Sequence, residues 1–218
     1  MWLRRFIEPG RPAGTVRGWA QACLLLLLAG CASTPPQVEA PVAGEEGAVL
    51  REVPPRAQTL YEQAIAALAA GDTVDAQLRF EAFVLEFPDF PGAYVNLAII
   101  HAKNGDDRAA EGSLTDALIL DPDYAPALNQ LGMLLRRQGK FHDAESAYLK
   151  AVTAEPDYAL AHYNLGVLNE LYLQRLDVAL QHFEIYQGLN GADEEVEKWI
   201  TDLKRRLQDN QRTANMTE

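Results

Sequence analysis

The stretch Leu128-Asn-Gln-Leu-Gly132, continued by Gly139, Ala144, Tyr148-Leu-Lys-Ala151 and Pro156-Asp-Tyr158, is one copy of a unit that this chain writes out repeatedly. Working outward from it, Gly71, Gly105 and Gly139 lie 34 residues apart, as do Ala76, Ala110 and Ala144, and Pro88, Pro122 and Pro156. Each proline is followed by Asp and an aromatic residue: Phe90, Tyr124 and Tyr158. A ladder of small residues runs one copy further through Ala64, Ala98, Gly132 and Gly166, and one of larger residues through Leu60, Tyr94, Leu128 and His162. Coincident ladders at one period predict a stacked repeat, in which each unit buries its apolar face against the next. The small residues allow two helix backbones to approach where they cross. The glycines stop the first helix in the left-handed conformation that other residues resist. The prolines end the second helix, since proline lacks the donor and pushes the residue before it out of helix.

Helix, glycine turn, helix and proline turn fill 34 residues, and this pattern resembles the tetratricopeptide repeat. Residues 57–90, 91–124 and 125–158 match without a gap, and a fourth copy, 159–192, keeps Tyr163-Asn-Leu-Gly166 but reaches Ala179 and Phe183 one residue late. Its turn, Leu171 to Asp177, therefore carries one extra residue, and the closing proline is missing. The first copy has Gln63 where the family has leucine and Phe83 where it has alanine. The resemblance implies an all-α fold, a solenoid of about four helix-turn-helix repeats over 57–209. Residues 193–208 place Val196, Trp199, Ile200, Leu203 and Leu207 on one stripe, with acids in the first turn and Lys204, Arg205 and Arg206 near the end, as a helix dipole prefers. This is expected to be a capping helix, with Trp199 either packed inside it or anchoring a partner, and 209–218 a flexible tail.

The first 56 residues are of another kind. Arg4, Arg5, Arg11 and Arg17 precede an uncharged apolar run to Gly30, the layout of a secretory signal. That run is short of the roughly 20 residues that span a bilayer. Leu28-Ala29-Gly30-Cys31 resembles the lipobox of bacterial lipoproteins, which implies cleavage before Cys31 and a lipid on its sulfur; ordinary cleavage after Ala32 is the alternative. Two or three acyl chains would make the attachment effectively permanent. Cys23, the only other cysteine, lies in the discarded segment 1–30. Residues 31–56, rich in Pro, Ala and Glu, read as a tether that holds the folded part on the order of 30 Å from the membrane.

The chain has 31 acidic and 19 basic residues, a formal charge of −12. Four basic and one acidic residue lie in the first 30, which leaves 15 basic and 30 acidic, a net of −15. Such a surface argues against a nucleic-acid partner and against electrostatic adhesion to anionic lipid. The sequence contains no GxSxG, GxGxxG, HExxH or Walker-type loop. His101, His142, His162 and His182 occupy different repeat positions with no i, i+4 pair, and His101 and His162 fall where the resembled family has large packing residues, so helix packing is expected over metal ligation. No enzymatic activity, cofactor or metal is expected.

Repeats of this type present their first helices inward, which implies a binding groove lined by Tyr61 and Ile65, by Val95, Asn96, Ile99 and Lys103, by Asn129, Gln130, Met133, Arg136 and Arg137, and by Tyr163, Asn164 and Val167. Side-chain amides on successive turns could hold the backbone of a bound peptide, and Lys103, Arg136 and Arg137 could receive an acid. Ordinary helix-surface composition and a solvated basic face are the competing readings. In the chaperone-binding branch of the family a Lys, Asn and Arg set clamps a terminal carboxylate; Asn96 and Asn164 match its asparagine, but the first copy has Glu62 there. The architecture is similar to the repeat-containing pilotin lipoproteins of type IV pili and to adaptor lipoproteins for murein hydrolases. It implies a lipid-anchored scaffold at the outer membrane, facing the periplasm, that binds a protein or peptide; a purely structural spacer is the alternative from another class.

Overall fold

The computed structural model describes residues 53–216. The expected signal, Cys31 and most of the expected tether lie outside the described residues. Nine helices occupy the described part: α1 (Pro55–Ala69), α2 (Thr73–Glu86), α3 (Pro91–Lys103), α4 (Asp107–Leu120), α5 (Ala125–Arg137), α6 (Phe141–Ala154), α7 (Ala159–Leu171), α8 (Leu176–Asn190) and α9 (Glu194–Met216). They pack as the pairs α1/α2, α3/α4, α5/α6 and α7/α8, with α9 against α8. In addition α3 packs on α5 and α5 on α7, so the first helices of consecutive pairs lie side by side.

The punctuation acts as the ladders predict. Gly71, Gly105 and Gly139 take φ of 81°, 82° and 75°. Behind each, the next amide reaches back around the last helical turn: Asp72 to Ala67 O at 3.0 Å, Asp106 to His101 O at 2.9 Å and Lys140 to Leu135 O at 2.9 Å. Asp72 and Asp106 then cap the following helices, their carboxylates accepting from the amides of Asp75 and Ala109. Each second helix ends two residues before its proline, and the residue between them is extended (Phe87, Asp121 and Glu155, φ −130° to −144°).

The small-residue ladder is where the paired helices meet. A Cβ placed on Gly132 would lie 2.5 Å from Tyr148 Cε1, and one on Gly166 would lie 2.6 Å from Phe183 Cε1. Copies one and two use Ala64 with Phe80 and Ala98 with Leu114, all buried. Phe83, the departure of the first copy, is buried in an aromatic cluster with Tyr61, Phe87 and Phe90, at ring separations of 5.3–5.6 Å.

The fourth turn is irregular. With the extra residue, the left-handed position falls on Gln174 (φ 55°) instead of glycine. At the other end Val196, Ile200 and Leu203 of α9 are buried, and Trp199 packs against Phe183 at 5.5 Å and Tyr163 at 6.0 Å. The stretch 209–216, expected as a flexible tail, instead continues α9 to Met216. No glycine or proline interrupts it, and Asp209 pairs with Arg205 and Arg212 along the helix.

Candidate functional site

The first helices carry two different kinds of polar residue. Asn96 Nδ2 donates to Tyr61 Oη and to Gly92 O, both at 2.8 Å, and Asn164 Nδ2 donates to Asn129 Oδ1 at 2.9 Å. Tyr61, Val95 and Asn129 are at most 1% exposed, and Asn96 and Asn164 are buried. These five residues, expected to line an open groove, are therefore buried instead: Tyr61, Asn96, Asn129 and Asn164 are struts between consecutive repeats, and Val95 packs in the apolar core. The correction has a simple cause. A buried amide must find partners, and the neighbouring repeat, one period plus one residue away, supplies them.

Arg137 is also committed. It forms an ion pair with Asp107, and its Nη1 donates to Ala102 O at 3.1 Å. Its side chain remains about half exposed, so the ion pair orients it at the edge of the third-repeat groove. Arg175 does similar work one repeat on, holding Glu145 with two hydrogen bonds of 2.7 and 3.0 Å. Ile65, Ile99, Tyr163 and Val167 are half-buried against the packed clusters. Lys103 is exposed, with no ion pair among the described residues.

The remaining residues converge. Gln130, Met133, Arg136 and Arg137 of α5 line a groove of about 360 Å³ with Ala98 and Ala102 of α3, Ala110 and Leu114 of α4, and Tyr172. The alanines keep its floor low, because α3 presents no long side chain where α5 presents several. Met133 and Tyr172 are 38% and 44% exposed, so an apolar thioether and a phenol are open to a ligand. No local pattern marks Tyr172 in the sequence, because it falls in the fourth turn, where the register slips. The groove thus combines small apolar walls, one amide and cationic side chains, a surface suited to a peptide segment and devoid of nucleophile–base pairs.

Two of the four histidines, on different repeat positions, are brought together. His162 and His182, 20 residues apart, meet with Nδ1···Nδ1 at 3.0 Å, while His162 Nε2 lies 3.1 Å from Pro156 O. A carbonyl only accepts, so His162 Nε2–H donates to it, and His182 Nδ1–H donates to His162 Nδ1. Burial lowers the His162 pKa against the opposing hydrogen bond to Pro156. Burial first, then repulsion from His162, pulls His182 down to about 4 against the attraction of Glu145. No group of three or more His, Cys, Asp or Glu among the described residues is arranged to hold a metal ion.

Paired antiparallel helices stacked with a constant period, left-handed glycines between them and an open groove across their first helices define an α-solenoid of the protein-interaction class. The tetratricopeptide-repeat family matches residues 61–125 and 129–194, more than half of the chain, and the chain belongs to that family. No curated protein matches it. Among solved structures it is similar to pilF of Pseudomonas aeruginosa (22% identity, 70% of this chain and 69% of that one, TM-score 0.63). It is also similar to TTC0263, a thermophilic repeat protein of Thermus thermophilus (23%, 67% and 80%, TM-score 0.59). A third is MamA from Desulfovibrio magneticus RS-1 (19%, 74% and 90%, TM-score 0.57). At these identities the likeness is one of fold.

Proposed function

We propose that the chain is a non-enzymatic scaffold, lipid-anchored through Cys31 at the outer membrane and facing the periplasm, that takes a protein or peptide partner in its third-repeat groove. The observation that carries the binding part is the groove itself: Gln130, Met133 and Arg136 line it and remain accessible, whereas Asn96, Asn129 and Asn164 are taken up in contacts between repeats. The anchor is supported by Leu28-Ala29-Gly30-Cys31 behind an apolar run. Ala32, where an aspartate resembles an inner-membrane retention signal, favours passage to the outer membrane. A pilotin-like role in assembling a pilus or secretin is the more specific version, supported by lipobox plus repeats and by the likeness in fold to pilF; an adaptor for cell-wall enzymes differs only in partner.

Metabolic labelling with a fatty acid tests the anchor: the wild type incorporates label and Cys31→Ala does not. Equal labelling of the two contradicts it. Arg137→Glu with Asn129→Ala, which the sequence alone suggests as a groove probe, would break the Asp107 ion pair and the Asn164 strut as well. Met133→Glu is the cleaner change.

A further inference from the structure

Copies two and three depart from their siblings at four positions, and all four departures shape the same groove. Asn96 reaches back to Tyr61 and Asn164 to Asn129, each across 35 residues. Gln130 holds their register position, but the residue 35 before it is Val95, whose side chain offers no polar atom. The Gln130 amide is left without a hydrogen-bond partner among the described residues, and it lines the groove. Ala102 stands where copies one, three and four carry Leu68, Arg136 and Glu170, so α3 contributes a low floor there. Met133 replaces the β-branched Ile65, Ile99 and Val167 and is 38% exposed. Phe141 stands where copies one and two carry Thr73 and Asp107, and its ring lies 4.5 Å from that of Tyr172, tilted by 31°. Tyr172 is thereby steadied on one side while it stays 44% exposed at the groove. Arg136, half-buried beside them, has no ion pair among the described residues, whereas Arg56, Arg79, Arg137, Arg175 and Arg206 each hold a carboxylate.

From this juxtaposition we infer that the groove seats one aromatic side chain of a partner segment, held among Met133, Tyr172 and Arg136 above the Ala102 floor. The inference rests on the groove being the binding surface and names what that surface takes. A volume of about 360 Å³ lies near the lower end of the range for small-ligand pockets, room for one large side chain and not for a folded element. The three walls share a preference. A thioether sits well at a ring edge, a phenol ring pairs edge-on or offset with a second ring, and an unpaired guanidinium complements the negative face of a π system. An aromatic residue meets Arg136 without carrying an anion toward a chain whose formal charge is −12. Gln130, freed by Val95, offers both a donor and an acceptor to the backbone that carries the ring.

The test is a titration of the full chain, followed by the NMR signals of the Met133, Ala98 and Ala102 methyl groups, which a ring current displaces. The probes are the blocked pentapeptide acetyl-Ala-Ala-Trp-Ala-Ala-amide and its leucine and glutamate twins. The expected result is saturable displacement by the tryptophan peptide, with binding about tenfold tighter than that of the leucine twin, the contribution of one ring pair and one cation–π contact. Ala102→Leu, which installs the residue of copy one, should abolish binding by raising the floor. Met133→Ile, the residue of copies one and two, should weaken it severalfold, and Arg136→Gln should reduce the preference for tryptophan over leucine. Equal binding of the tryptophan and leucine peptides overturns the aromatic seat and leaves the groove reading standing. Glutamate binding as tight as tryptophan overturns it in favour of charge recognition. Tryptophan binding unchanged by Ala102→Leu and Met133→Ile overturns it by placing the ring elsewhere. No displacement by any of the peptides overturns it too, and the groove reading then stands or falls on photo-crosslinking from positions 130 and 133.

Discussion

At the scale of single residues, two contacts carry most of the explanation. Gly132 exists because Tyr148 leaves no room for a methyl group. Gly132→Ala should therefore destabilise the chain by about 1–3 kcal/mol in urea unfolding, the usual cost of overpacking a filled site. Adding Tyr148→Leu should recover much of the loss, since copy two closes the same crossing with Ala98 and Leu114. The second contact is the His162–His182 pair. Both imidazoles titrate below the ordinary value of 6.5 when folded, so the unfolded chain binds protons first as the pH drops. Their contribution is complete above about pH 6.5 and is lost as the pH falls toward about 4, the folded value of His182. Thermal midpoints measured across that window should fall more steeply for the wild type than for His182→Gln; parallel curves would deny the pair any part in the pH dependence. Neither partner choice was legible in the sequence. Positions 162 and 182 share no repeat register, and their meeting depends on how α8 sits on α7 after an inserted residue.

At the scale of elements, helix ends were legible and inter-helix polar contacts were not. Glycines and prolines act through local backbone sterics, which the residue type alone determines, so in the three gapless copies each first helix stops two residues before its glycine and each second helix two residues before its proline. Whether Asn96 or Arg137 faces a ligand or the next repeat is decided by residues 30 to 35 positions away, Tyr61 and Asp107, and no local pattern announces that. The same limit hid the continuation of α9 to Met216, which depends on ion pairs along its exposed face. The fourth turn offers a test of the backbone argument. Gln174 holds a φ of 55° that the other three turns assign to glycine. Gln174→Gly should stabilise the chain by up to about 1 kcal/mol, relieving the left-handed strain of a residue with a Cβ. A loss of stability in urea unfolding would show that the Gln174 side chain makes a compensating contact.

At the scale of the whole molecule, binding and folding fall to different residues. The buried Asn96, Asn129 and Asn164 of the first helices tie one repeat to the next, and carboxylates such as Glu145 and Glu170 are held by arginines from other elements. The groove on α5, with Tyr172 beside it, is the surface proposed above for a partner, which would concentrate recognition in the third repeat. The most direct test places a photo-crosslinking amino acid at Gln130 or Met133 in the groove and, as a comparison, at Leu85, which is 86% exposed on the second helix of copy one. In the living cell a discrete protein adduct is expected from the groove positions, lost on adding Arg136→Gln, and none from position 85. An adduct from position 85 with none from positions 130 and 133 would contradict a partner site in the third repeat.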